Sequence, residues 1–547
     1  MSPFPVCRVL LVGAALALSV ACSTPSQGGG AAAPAAGDGR PKPGGILRMD
    51  MDREAQNFNP MLKEGGVQEA ALGGVYTPLL RLEFSQAVGY TGTKLLPNMA
   101  ESWEVSADAT TYSFKLRKDL KWQNKPPVNG RAITSEDIKY NLVRFRDEKI
   151  SMAKFIVEDI TDVQTPDPYT VKVTMRQPFV PFLPYMAWDK SLFHPKELDE
   201  TNQLDTNPVG SGPFMLESFT PGSVTKLKRN PDFFLKDKNG TPLPYLDGYE
   251  IFKIIDPSTA AAAFISKQVD LCGQCPRGEG PIVERVRAGA PDAQWFTGPE
   301  TGGISELYIA NNKPPFNDVR VRQALRLGLD VNGMIAALTK GKGKLNMAGV
   351  STGYTDWALP EAEVKAFYPY DLAKAKDLMK QAGLDGDALK FTIWVGNNSQ
   401  SVLTFTELLE RQMRAIGFDA KIGVVDFSDI ITKRRANDFV MFTSGKSQEI
   451  DPDGNLVPVY STKGELNYSK ISDPQLDQMM AKQRTLLDVT ERKKLLQDIT
   501  RRIADQAYSL NPIMDNRLIY WRPYVKGYYP HVYWGFGQKF METWLDK

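Results

Sequence analysis

Between residues 97 and 142 the hydrophobic and polar positions change period several times in a fixed order. A short amphipathic piece around Met99 to Trp103 gives way to a polar turn at 106–109. Tyr112, Phe114 and Leu116 then alternate with Ser113, Lys115 and Arg117, the two-residue period of a strand with one buried face. A Pro/Asn/Gly loop follows at 126–130. Thr134 with Asp137 three positions on has the spacing of a capping box, and it opens a helix whose Ile138, Leu142 and Phe145 share one face.

Later segments repeat this mixing of periods. Residues 207–234 predict a glycine-proline turn (Gly210, Gly212, Pro213) and a strand, and residues 240–255 a proline-bounded turn and an alternating strand. Residues 307–335 run from a strand through a Pro-Pro-Phe turn into a helix carrying Val319, Val321, Ala324, Leu325 and Leu327, with a second helix starting at Asp330. Residues 370–384 form a helix stopped by a glycine, 391–394 a strand, 404–416 a helix stopped by Gly417, and 492–508 a helix with Leu495, Ile499 and Ile503 on one face. This alternation of strand and helix predicts α/β layers, and the aromatic tail 511–547 is expected to pack back on the first domain.

At 547 residues the chain exceeds one compact core, so two or three domains are expected. Its 42% hydrophobic content is ordinary for a globular protein, and a net charge of +2 without a basic stripe argues against a nucleic-acid partner. Residues 1–22 carry one positive charge at Arg8, an apolar run from Val9 to Val20 and a small residue before Cys22, the pattern of an export signal. The apolar run is too short for a mature membrane span, which takes roughly 20 residues. Residues 23–45, rich in Gly, Ala, Pro and Ser, read as a flexible tether. Cys272 and Cys275 form a C-x-x-C pair; in an exported chain a local disulfide is favoured, with free thiols and a metal or redox role as alternatives.

The order Ala100–Trp103, Ser106/Asp108, Phe114–Arg117, Thr134–Asp137 resembles the signature region of the family 5 solute-binding proteins of ABC transporters, the oligopeptide, dipeptide and nickel-binding group. Asn124-Lys125 departs from the family's aspartate-glycine turn, and Lys267-Gln268 from its glycine-acid pair. Residues 207–234 and 307–335 extend the resemblance, and Ala21-Cys22 resembles a lipobox, apart from Ser19 where leucine is commonest, which implies that Cys22 is lipidated, with ordinary cleavage near Ala21 as the alternative. The fold implied is α/β, periplasmic-binding-protein-like of type II: two hinged lobes plus an extra domain. Carried over, a discontinuous lobe I takes 46–85, 205–303 and 515–547, domain II takes 86–204, and lobe III takes 304–514. A ligand would be enclosed between lobes I and III.

Peptide binders of this family place an aspartate on the ligand's ammonium. Aligned on Asp451-Pro452, that position holds Gln448, and Thr443 stands where some members carry an arginine for the far carboxylate. Glu449 or Asp451 could replace the missing acid by a shift of one to three residues. Phe427 falls where an aromatic lines the site, Arg434 where some members keep a basic residue, and Glu64 and Gly65 match a loop that touches the ligand. Tryptophans 188, 295, 357, 394 and 534 are candidate sugar-stacking platforms, with core filling as the ordinary role.

Enzyme chemistry finds little support. The run at 209–212 lacks the spacing of a hydrolase elbow, 341–344 is no phosphate loop, H-E-x-x-H is absent, and only His194 and His531 are available as bases or ligands. No cofactor or direct metal ligation is expected, although a glycosidase-type carboxylate pair would be invisible at this stage. The expected function is an extracytoplasmic receptor, monomeric and lipid-anchored or periplasmic, that passes a peptide-like solute to ABC permease and ATPase subunits. An oligosaccharide ligand, or a sensing lipoprotein without transport, are the alternatives.

Overall fold

In the computed structural model, residues 40–547 are described except 53, 56, 63–65, 149–150, 152, 274–279, 300–301, 385–388, 398, 446–448 and 534. The signal segment, Cys22, most of the tether, Glu64, Gly65, Gln448, Cys275 and Trp534 therefore lie outside the described residues.

Three sheets organise the chain. In the first, Ile46–Met51 turns Leu47, Met49 and Met51 inward and runs parallel to Gly248–Lys253 in register Ile46 to Gly248. With this pair the sheet has seven strands, drawn from residues 46–51, 214–229, 248–253, 271–272, 294–299 and 516–521. The tail strand Asn516–Trp521 pairs with both Leu271–Cys272 and Gln294–Pro299, so the last residues of the chain complete the sheet begun by the first.

The second sheet has four antiparallel strands, Ala100–Val105, Thr111–Leu116, Thr170–Met175 and Ile160–Asp167, in that spatial order. Tyr112, Phe114 and Leu116 point into the core, as the alternation predicts. Helix Ser135–Asp147 buries Ile138, Leu142 and Phe145, and the Asp137 carboxylate accepts the Thr134 backbone N–H at 2.9 Å. This core is continuous with side chains from the flanking segments, among them Leu80, Phe234, Tyr245, Tyr533 and Trp544. Strand Leu80–Leu82 also pairs with Leu95–Pro97, across the expected boundary at residue 85. The four-stranded sheet thus shares one core with segments on both sides of it in sequence.

The third sheet has five strands: Asp419–Val425, Lys390–Gly396, Met441–Ser444, Glu306–Ile309 and Ser509–Leu510. Helices cover it. Leu372–Ala382 ends at Gly383, whose φ of 68° is the left-handed conformation that glycine adopts without a Cβ penalty. Helix Val489–Gln506 buries Arg492, Leu496, Ile499 and Ile503, spaced four, three and four apart. Leu495, expected on the buried face, is only partly covered; the face is rotated by one position and carries Arg492 inside.

The chain passes between the first and third sheets twice. One passage leads from Gln294–Pro299 to Glu306–Ile309, the other from Ser509–Leu510 to Asn516–Trp521. They are tied together: Ile304 N–H donates to Ile513 O at 2.9 Å, and the Asn511 amide donates to Gly302 O at 3.0 Å. Two side-by-side crossings make the hinge of a two-lobed molecule.

Candidate functional site

Beyond the central strand Met441–Ser444 of the third sheet, Glu449 lies just before helix Asp453–Tyr460. What holds Glu449 is backbone recognition by a phenol. The Tyr354 hydroxyl donates to Glu449 O at 2.7 Å and accepts from Glu449 N–H at 2.9 Å. Gly454 keeps the corner narrow, since a Cβ there would stand 3.0 Å from Glu449 Oε2 and 3.2 Å from the Tyr185 hydroxyl.

Behind the loop lies a buried charge lattice. Arg492 donates from Nη1 and Nη2 to both Asp451 oxygens at 2.8 and 2.6 Å, and Arg484 donates to both Asp453 oxygens at 2.8 and 3.0 Å. Gln483 bridges the pairs, accepting from Arg492 and donating to Asp453. Burial alone would make the Arg492 guanidinium easier to deprotonate; the Asp451 charge and hydrogen bonds outweigh it and hold the proton more tightly than usual. Removing one member of such a pair costs about 3–5 kcal/mol, because the other is left charged and buried.

Facing this lattice are residues of domain II. Lys190 Nζ donates to both Glu449 oxygens at 3.0 Å, the Tyr185 hydroxyl reaches Asp453 Oδ2 at 3.4 Å, and Val180 N–H donates to Arg484 O at 2.8 Å. Burial, and then the Asp453, Asp451 and Glu449 charges, push the Tyr185 phenol well above its ordinary range, so it stays a donor. The Thr91 and Thr355 hydroxyls also lie 3.4 Å apart. A separate groove of about 740 Å³ runs along helix Ser135–Asp147, lined by Arg131, Tyr140 and Arg144 among others, on domain II away from this cleft.

The expected site residues fall in different places. Thr443 is buried on the central strand, its hydroxyl 2.7 Å from that of Thr406. Asp451 is buried, with both carboxylate oxygens held by Arg492. Arg434 is half-buried on helix Phe427–Arg435, its guanidinium 5.0 Å from the Tyr468 ring centre; Phe427 opens that helix. Cys272 is buried and disulfide-bonded. Trp188 belongs to the core, whereas Trp357 and Trp394 are half-buried under Arg492 and Lys433, at 5.1 and 4.1 Å. Among the described residues no cluster of three His, Cys, Asp or Glu is placed to hold a metal.

Lys190, Tyr185, Tyr354 and Arg484 were not found from sequence. Arg492 was legible in principle, because an arginine in step with Leu496, Ile499 and Ile503 must be buried and must have an anionic partner.

The fold and hinge define a two-lobed molecule of the binding-protein type. Residues 94–467 match the family model described as bacterial extracellular solute-binding proteins, family 5 Middle, and the chain belongs to that family. It is 26% identical over 489 residues to a dipeptide-binding protein of Escherichia coli K12, covering 83% of this chain and 86% of that one. It is 25% identical over 420 residues to the glutathione-binding protein GsiB of Escherichia coli O1:K1, with 74% and 77% covered. The oligopeptide-binding protein AppA from Bacillus subtilis, solved with a nonapeptide, superposes with a TM-score of 0.78 at 20% identity over 93% of this chain and 100% of that one, which establishes the fold. At family level the protein is an extracytoplasmic solute-binding component of an ABC importer, with a binding role instead of an enzymatic one. No helix among the described residues is long and apolar enough to cross a membrane.

Proposed function

We propose that this protein captures a peptide or peptide-like solute between lobe I and lobe III and delivers it to an ABC permease. The observation that carries the reading is the hinged cleft itself: paired chain crossings at 302–305 and 511–513, with a rigidly held loop from Glu449 onward facing the opposite lobe. A solute bound there gains contacts from both lobes only in the closed form, and this differential affinity is what closes the molecule. Family membership and a dipeptide-binding relative support the peptide class. Anchoring through a lipid on Cys22, and a Cys272–Cys275 bridge, belong to the same proposal. Native mass spectrometry of purified protein, followed by denaturing release, tests it. Recovery of a peptide-like ligand is expected; recovery of oligosaccharide without peptide would overturn the assignment.

A further inference from the structure

The core of the four-stranded sheet draws its buried residues from positions 61–245 and 533–544, with one exception among the described residues. That exception is Ile450. It is 7% exposed, it stands just before helix Asp453–Tyr460, and it comes from the stretch of chain between the two crossings, the stretch that builds the third sheet. Residues 158–190 and 449–484 also meet through polar groups. Val180 N–H donates to Arg484 O at 2.8 Å, the Arg484 guanidinium lies 5.0 Å from the Phe179 ring centre and 3.6 Å from Glu158, and Tyr185 and Lys190 reach Asp453 and Glu449 at 3.4 and 3.0 Å.

This seam can part without stranding a charge. Arg484 holds both Asp453 oxygens and Arg492 both Asp451 oxygens from within the third-sheet part of the chain, so those pairs survive when residues 158–190 move away. Glu158, 47% exposed at its side chain, already stands in water. What separation loses is the burial of Ile450, the aromatic face beside Arg484 and one backbone hydrogen bond across the seam. A largely polar seam between parts joined by two crossings allows relative motion. We propose that it is a latch for lobe closure, in which Ile450, Phe179, Val180 and Arg484 are positioning residues that hold the closed form without touching the solute. The four-stranded part thereby sets affinity through the population of the closed form, for solutes of any class. This rests on the reading, given above, that the molecule closes around its solute.

The test is hydrogen exchange of the full chain without added solute, read by mass spectrometry at single-residue resolution. The Val180 amide is expected to exchange through an opening that needs no unfolding, with protection at least about a hundredfold below that of the Thr111–Leu116 amides. Ile450→Ala should lower that protection about tenfold or more and leave Thr111–Leu116 unchanged. Thr91 and Thr355 lie on opposite parts of the molecule with their hydroxyls 3.4 Å apart, so cross-linking the thiols of T91C/T355C should raise Val180 protection about tenfold or more. Local fraying around Val180 would not respond to that link. Val180 protected as strongly as Thr111–Leu116, or insensitive to the cross-link, would overturn the latch; if Ile450→Ala disturbs Thr111–Leu116 as well, the cross-linked variant alone decides. Saturating tetra-alanine should slow Val180 exchange in the wild type. If it does not while the other results hold, the peptide reading fails and the latch stands.

Discussion

His531 is a neutral imidazole with both nitrogens assigned by their neighbours. Its Nε2–H donates to Gly92 O at 2.8 Å, and its Nδ1 accepts the Tyr533 backbone N–H at 3.1 Å. Burial first, and then the nearby Lys539 charge, pull its pKa from 6.5 down to about 3, against the opposing pull of the Gly92 hydrogen bond. The unfolded chain takes up this proton near pH 6.5 and the folded one does not, so the stability it contributes is complete above that pH and is lost as pH falls toward 3. Between pH 6.5 and 5 the loss is about 2 kcal/mol, at about 1.4 kcal/mol per pH unit. His531→Gln keeps a donor for Gly92 and removes the titration. Its apparent Tm should fall less than that of wild type between pH 7 and 5; equal falls would contradict the assignment.

The same scale separates what could be read from sequence from what could not. Tyr112, Phe114 and Leu116 were legible because a two-residue period is a local property of a strand with one wet face. Thr443 was not. It sits on a strand whose four residues are all buried, and in such a strand nothing in the local pattern distinguishes a loop-facing hydroxyl from a core one. Lys190 and Glu449 meet only after two domains have folded and docked, so no local pattern records the pair.

At the scale of elements, the hinge depends on a glycine. Gly303 has φ +72°, and a Cβ there would stand 2.3 Å from Asn511 Oδ1 and 2.9 Å from Asn346 Nδ2, both side chains being fully buried between the two crossings. Gly222, in the turn between Phe214–Thr220 and Val224–Arg229, has φ +77° and nothing within 4 Å of the corresponding point. Alanine at either position carries the backbone penalty of about 1–2 kcal/mol, but only Gly303→Ala adds a collision worth roughly 1–3 kcal/mol more. Thermal scans should show a clearly larger drop in apparent Tm for Gly303→Ala than for Gly222→Ala. Equal drops would mean that the crossings yield freely and are not tightly packed. Of the strands flanking the crossings, sequence showed the one that begins near Leu307. The adjacency of the crossings was not visible, because residues 302–304 and 511–513 become neighbours only through the closing of the sheets on either side.

For the molecule as a whole, the terminal aromatic segment returns to the first sheet as Asn516–Trp521. What changed is the standing of domain II. Its core runs into lobe I, and its Tyr185 and Lys190 touch the loop of lobe III, so it takes part in the interface that the cleft presents. The acids Glu449, Asp451 and Asp453 are held by cations of the protein itself, Lys190, Arg492 and Arg484. Closure around a solute is the central claim. Small-angle scattering should be recorded on protein stripped of co-purified ligand by reversible unfolding, and again after the released small-molecule fraction is restored. A smaller radius of gyration on restoration is predicted; an identical scattering profile, with the ligand shown to be bound, would contradict a receptor that works by closing its lobes.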